Sequence, residues 1–256
     1  MDSFRLETLI LAAVFVGVRV AGLMVFCPFL GSDAIPTRLK AVLALLLTAL
    51  LFSVRGPAHM ELQGWQWVGV SLSECVIGLV LGLTANFMME APMMAGQVLG
   101  VQMGYSLATL FDPQTQADTP VLGEFHRLAA LLIFLQFNVH HWLLRAITKS
   151  FDYLPPGAAP VTYAAVTGVL HAAAAICLTG LQIAAPGLVA TLVADVALGF
   201  LGKASPQLPV LFVGLAIKNL VGLAVLATLV TFWPQSFSQK FAESIAVGER
   251  LLHLSH

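Results

Sequence analysis

The sequence predicts an all-α fold of hydrophobic helical hairpins, membrane-associated or buried on nearly every side by other subunits, with Pro/Gly-broken helices and an amphipathic C-terminal helix. Three observations carry this. The apolar residues make up 59% of the 256 and the charged ones 10%, against ~45–50% and ~25% in an ordinary soluble chain. Uncharged runs recur, the longest covering 42 positions from 153 to 194. Strand-like alternation does not extend over any useful length, which argues against a barrel. This composition excludes a disordered chain, a collagen-like fibre and an ordinary soluble enzyme. A net charge of −1 gives no electrostatic reason to bind nucleic acid.

Charges and breakers place the elements. Residues 8–18 and 20–32 are uncharged around Arg19, and Pro28, Gly31 and Pro36 then close a helix near 4–27. Residues 37–54 form the next, ended by Gly56 and Pro57. Helices near 62–89 and 91–104 follow, on either side of Glu90, and a polar loop lies between Asp112-Pro113 and Pro120. A helix near 121–150 leads to the break at Pro155, Pro156, Gly157 and Pro160. Pro186-Gly187 divides the longest run into 161–184 and 187–202, and Ser205-Pro206 and Pro209 turn the chain into 208–232. Such breakers are the strongest local punctuation a sequence carries, and a span needs ~20 apolar residues. In the last segment, 235–254, Phe237, Phe241, Ile245 and Leu252 recur at helical spacing among Lys240, Glu243, Glu249 and Arg250. That is an amphipathic helix, suited to packing on its own protein, on a partner or on a membrane surface. The whole chain reads as a single domain, 1–256.

Basic residues stand at successive segment ends: Arg38 and Lys40, Arg55, then Arg145 and Lys149. The positive-inside rule therefore gives no orientation, which points away from a simple lipid-spanning topology. The opening MDSFRLE is mixed in charge and no small-residue cleavage site follows, so no removable signal peptide is expected. Cys27, Cys75 and Cys177 lie far apart in apolar runs and read as small buried hydrophobes.

Several residues stand out. Gly96, Gly100 and Gly104 are spaced by four, as are Gly78 and Gly82. Glycine costs ~1 kcal/mol against alanine in a helix, so a cleared face implies close packing, within the chain or against another subunit. Gln97 and Gln102 lie among them, and Tyr105, Ser106, Leu107, Thr109, Leu110, Phe111, Asp112 and Pro113 follow. A polar loop with large apolar residues after a glycine-rich helix suits either a surface turn or a segment folded into a cavity. Arg19, Glu74, Glu90, Asp195 and Lys218 interrupt apolar segments. An ion in hydrocarbon costs at least ~2.5–3.5 kcal/mol, so each must pair, face a wet cavity or sit outside lipid. His140-His141, with Glu124 and His126 upstream, lack metal-ligand spacing, because adjacent helical residues point ~100° apart. No nucleophile elbow, P-loop or dinucleotide fingerprint is present. No metal, cofactor or catalysis is expected.

Four blocks, taken in order, resemble the flagellar biosynthetic protein FliR family, whose injectisome relatives are called SctT. One is Arg19 followed by Pro28, Gly31, Pro36, Arg38 and Lys40. The second runs from Gly96 through Gly104-Tyr105-Ser106 to Phe111-Asp112-Pro113. The third is Phe134 to Asn138 with His141 and Trp142, and the last is Leu198 to Leu208, including Gly202, Lys203, Pro206 and Gln207. The resemblance spans nearly the whole chain. It implies a core subunit of the type III export gate in the bacterial inner membrane, at the flagellar basal body. Its implied partners are FliP-like, FliQ-like and FlhB-like subunits, exported unfolded proteins and membrane lipid. It also implies that a loop, here about Tyr105 to Pro120, plugs the closed channel, and that Lys203, Pro206 and Gln207 serve packing. The rival readings are an autonomous solute or ion transporter using Glu74, Asp195 and Lys218, and a membrane enzyme using His140 and His141.

Overall fold

The computed structural model describes residues 2–28, 30–31, 35–55, 65–105, 120–155, 163–205, 207 and 210–253. Among them are eight helices and no strand: α1 Asp2–Phe26, α2 Thr37–Arg55, α3 Gln66–Met103, α4 Val121–Gln136, α5 Val139–Tyr153, α6 Tyr163–Ala204, α7 Val210–Val230 and α8 Trp233–His253. Leu9–Phe26, Gln66–Met103, Val169–Ala204 and Phe212–Val230 are long and apolar enough to cross a membrane. The bent pair α4–α5 adds a fifth span if it counts as one.

Three element boundaries differ from the sequence expectation. The helices expected at 62–89 and 91–104 are one, α3, with Pro92 inside it, and those at 161–184 and 187–202 are one, α6, with Pro186 inside it. Each proline removes one backbone donor, and tertiary packing holds the helix through the loss. Gly180 lies so close to the Ala91 carbonyl that a Cβ would stand 2.9 Å from it, and a Cβ on Gly187 would stand 2.7 Å from the Leu99 side chain. Conversely, the helix expected over 121–150 is broken: α4 and α5 meet at a 67° bend. Asn138 turns the chain there with φ 54°, in the left-handed region that asparagine tolerates better than most residues.

The residues group into two compact units. The first comprises Met1–Met88, Phe134–Ala174 and Lys240–His256. In α1, Ala12, Phe15, Val16, Val20, Leu23 and Met24 are buried along one stripe, each large side chain stabilising by ~1.5–3 kcal/mol. α1 packs on α2 and crosses α3 in the same direction, where Leu23 meets Gly78 and Gly82 and Phe26 meets Gly82. A Cβ on Gly22 would reach 2.6 Å from the Cys75 carbonyl, one on Gly82 2.6 Å from the Leu23 carbonyl, and one on Gly78 would fall on the Arg19 carbonyl. In the same unit the α8 residue Phe241 meets Phe134 edge-on at 5.6 Å, and Ser244 donates to the Thr84 carbonyl at 2.5 Å.

The second unit comprises Met89–Ile133 and Ala175–Gln239. Ala95, Leu99, Met103, Leu122 and Ala184 form its core, with Ile183, Leu188 and Leu226 packed against them. Trp233 and Phe237, the part of the α8 apolar stripe in this unit, stack at 5.5 Å, and Trp233 also covers His126 at 4.7 Å.

Candidate functional site: two internal charge clusters and the end of α3

Arg19 sits in the middle of the buried α1 stripe, and both Arg19 and Glu74 are 0% exposed. The Arg19 Nε–H donates to Glu74 Oε2 at 2.6 Å, one terminal nitrogen donates to Ser150 Oγ at 3.0 Å and the other to the Leu154 carbonyl at 2.9 Å. The guanidinium also lies 4.1 Å from the centroid of the Phe151 ring. The Ser150 hydroxyl in turn donates to the Ile147 carbonyl at 2.7 Å. A flat, forked cation suits this position because it satisfies three acceptors in different directions while its face stacks on an aromatic ring. The Leu154 carbonyl is at the C-terminal end of α5, where the helix dipole favours a positive charge. One side chain thus fastens α1, α3 and α5.

In the second unit, Lys218 Nζ lies 2.9 Å from Asp195 Oδ1, and Gln102 Nε2 donates to Asp195 Oδ2 at 3.0 Å. The Asp195 side chain is 40% exposed. Glu90 is exposed. His126 is fully buried with Nδ1 2.7 Å from the Leu122 carbonyl, and its Nε2 has no hydrogen-bond partner among the described residues. The rings of His140 and His141 lie 4.2 Å apart, tilted by 53°. Among the described residues no group of three or more His, Cys, Asp and Glu is placed to hold a metal.

The α3 glycines do three different jobs. A Cβ on Gly96 would fall on the Leu122 carbonyl, so α4 meets α3 backbone to backbone there. At Gly100 a Cβ would make only ordinary contact, 3.9 Å from Leu122. Gly104 has φ 88° and ends the helix. Its N–H donates to the Val101 carbonyl at 3.1 Å and the Tyr105 N–H to the Gly100 carbonyl at 2.9 Å, the paired bonds of a Schellman cap. Tyr105 is 38% exposed. Ser106, Leu107, Leu110, Phe111, Asp112 and Pro113 lie outside the described residues, as does Pro206. Lys203 is exposed in the last turn of α6, where it complements the helix dipole, and Gln207 is exposed beyond it.

Sequence reasoning singled out Arg19 and Glu74 separately but not Ser150, Phe151 or the Leu154 carbonyl. The first two are ordinary at a helix end, and a backbone acceptor carries no sequence signal.

The chain matches the family model described as bacterial export proteins, family 1, over residues 10–244. It is 32% identical to the flagellar biosynthetic protein FliR of Escherichia coli K12 over 212 residues, covering 83% of this chain and 81% of that protein. The chain belongs to the FliR family of bacterial export proteins. Its FliR relatives include that of Bacillus subtilis 168, 32% identical with 84% of both chains covered. The FliR of Caulobacter vibrioides is 27% identical and is matched over 99% of its length. Family membership and the apolar helices together make the chain a membrane protein and a component of the flagellar export apparatus.

Proposed function

We propose that this FliR-family chain acts as a single structural and gating domain of the flagellar type III export gate in the bacterial inner membrane. With FliP-like and FliQ-like subunits, and an FlhB-like one beside them, it forms and plugs a channel for unfolded proteins. The observation that carries this reading is the family match over residues 10–244. The internal charges suit a structural role: Glu74 is fully enclosed and held by Arg19, leaving it without the solvent access a proton path requires. The plug is assigned to residues 105–113, with Leu110 and Phe111 as its apolar tip. An apolar constriction holds back ions by dewetting.

Native mass of the chain co-expressed with its partners tests the assembly. A gate subunit copurifies in unequal stoichiometry with other small hydrophobic chains, whereas a transporter functions alone or as a symmetric oligomer. Deleting 107–113 should then raise ion conductance in membranes holding a complex of unchanged mass. An intact complex with no added conductance removes the plug assignment. Gly100→Leu should block assembly, because Gly100 is buried and a leucine, unlike a lone Cβ, would press on Leu122 of α4. Normal assembly and secretion by that variant would remove the packing role of Gly100.

A further inference from the structure

The end of α3 carries few side chains that could fix it. Gly100 and Gly104 have none, and Val101 points outward, 66% exposed. That leaves Gln102 and Met103. Met103 is 2% exposed. Its tip lies on the buried Gly222 of α7, where a Cβ would stand 2.6 Å from Met103 Cε, 2.7 Å from Sδ and 3.1 Å from Cγ. Carbon atoms rest ~3.5–4.0 Å apart, so the thioether fills space that a side chain at 222 would need. Glycine is disfavoured inside a helix, and at 222 it leaves a notch. Methionine suits a notch, because its unbranched chain reaches in and adapts to an irregular gap.

Gln102 is held from the same side. It donates to Asp195 of α6, which pairs with Lys218 of α7 at 2.9 Å. Lys218, Gly222 and Leu226 recur every four residues on one face of α7, and Leu226 packs against the cluster that contains Met103. All of these residues belong to the second unit. Two consecutive residues of α3 are thus anchored to one stripe of α7, Gln102 through a carboxylate and Met103 directly. The anchorage stops there: Gly104 follows with φ 88°, and the chain leaves the helix at Tyr105. Helix ends fray unless something holds them, and a held end sends the next residues off in a fixed direction. We propose that Met103, seated on Gly222, is a positioning residue for the plug: it fixes the end of α3 from which residues 105–113 depart. The role rests on the plug reading given above, whereas the seat itself does not.

The seat is tested on the detergent-solubilised full chain, with Cys27, Cys75 and Cys177 changed to alanine and nitroxides placed at Tyr105→Cys and Leu220→Cys. Both positions are exposed and lie in the second unit. The distance between the two spins should show one narrow distribution. Gly222→Leu fills the notch and should shift or broaden it, and adding Met103→Ala, which removes the clashing thioether, should restore it. Met103→Ala alone empties the notch and should also broaden the distribution, which keeps the test decisive if Gly222→Leu does not fold. A distribution unchanged by the single variants overturns the seat. The role is read as ion conductance of membranes holding the partner complex at unchanged native mass. Gly222→Leu should raise conductance several-fold, towards the level of the 107–113 deletion, and the double variant should bring it back. A residue that merely stabilised the fold would lower the unfolding temperature and leave conductance unchanged. Conductance from the deletion but from neither single variant overturns the positioning role and leaves the plug reading standing. A deletion that does not conduct overturns both.

Discussion

Arg19–Glu74 and Lys218–Asp195 hold their charges at similar range, 2.6 and 2.9 Å, yet they are built differently. The first pair is completely enclosed, and its arginine is also bound by Ser150 and the Leu154 carbonyl. The second keeps its aspartate 40% exposed and adds one amide, Gln102. A sealed pair suffers the full desolvation of both ions and survives only if nearly every polar atom is answered. A half-exposed pair is partly answered by its surroundings and tolerates a sparser set of partners. The difference also explains the choice of cation: arginine where several directions must be met at once, lysine where a point charge suffices.

The largest expected effect is at the sealed pair. Glu74→Ala should cost ~3–5 kcal/mol by stranding a buried guanidinium, read as a large fall in the detergent-solubilised unfolding temperature. Arg19→Met with Glu74→Leu should recover most of it. A double variant as unstable as the single one would mean the pair itself supplies the stability. Next come the glycine crossings. Gly78→Ala and Gly96→Ala each drive a Cβ onto a backbone carbonyl and should cost ~1–3 kcal/mol, whereas Gly100→Ala should gain up to ~1 kcal/mol from helix propensity. Equal effects at all three positions would show that glycine spacing, not the contact, matters. At the bend between α4 and α5, Asn138→Val should cost ~1–2 kcal/mol, because a branched side chain resists positive φ. Asn138→Gly should be nearly silent in the same melt. Smallest is the open pair, where Lys218→Met should change unfolding by ~1 kcal/mol or less. A loss as large as that of Glu74→Ala would erase the distinction between the two clusters.

The helical class was legible because uncharged runs and turn residues are local signals. So was the need of Arg19, Glu74, Asp195 and Lys218 for partners, which follows from the cost of an isolated ion. The identity of the partners was not legible: Glu74, Ser150 and Leu154 lie 55, 131 and 135 positions from Arg19. Pro186 misled for the same reason. A proline announces a missing hydrogen bond, while the neighbouring contacts at Gly180 and Gly187 that keep the helix intact come from distant sequence. Asn138 carried a faint turn signal, drowned by the apolar residues on either side. Of the glycine triplet, the sequence showed a common face but could not separate the contact at Gly96 from the cap at Gly104, since a positive φ is a property of the folded backbone.

The sealed arginine also sets an order for making the protein. During synthesis α1 reaches the membrane before Glu74 exists, and the guanidinium cannot yet be neutralised. Its last acceptor, the Leu154 carbonyl, is made 135 residues later, a delay of roughly 7–27 s at ~5–20 residues per second. Through that interval α1 must stay at an interface, lean on an insertion factor or carry its charge exposed, and it settles only when α3 and α5 arrive. Nascent chains arrested before residue 74 should therefore leave α1 extractable by alkali, and chains arrested well past residue 154 should hold it fast.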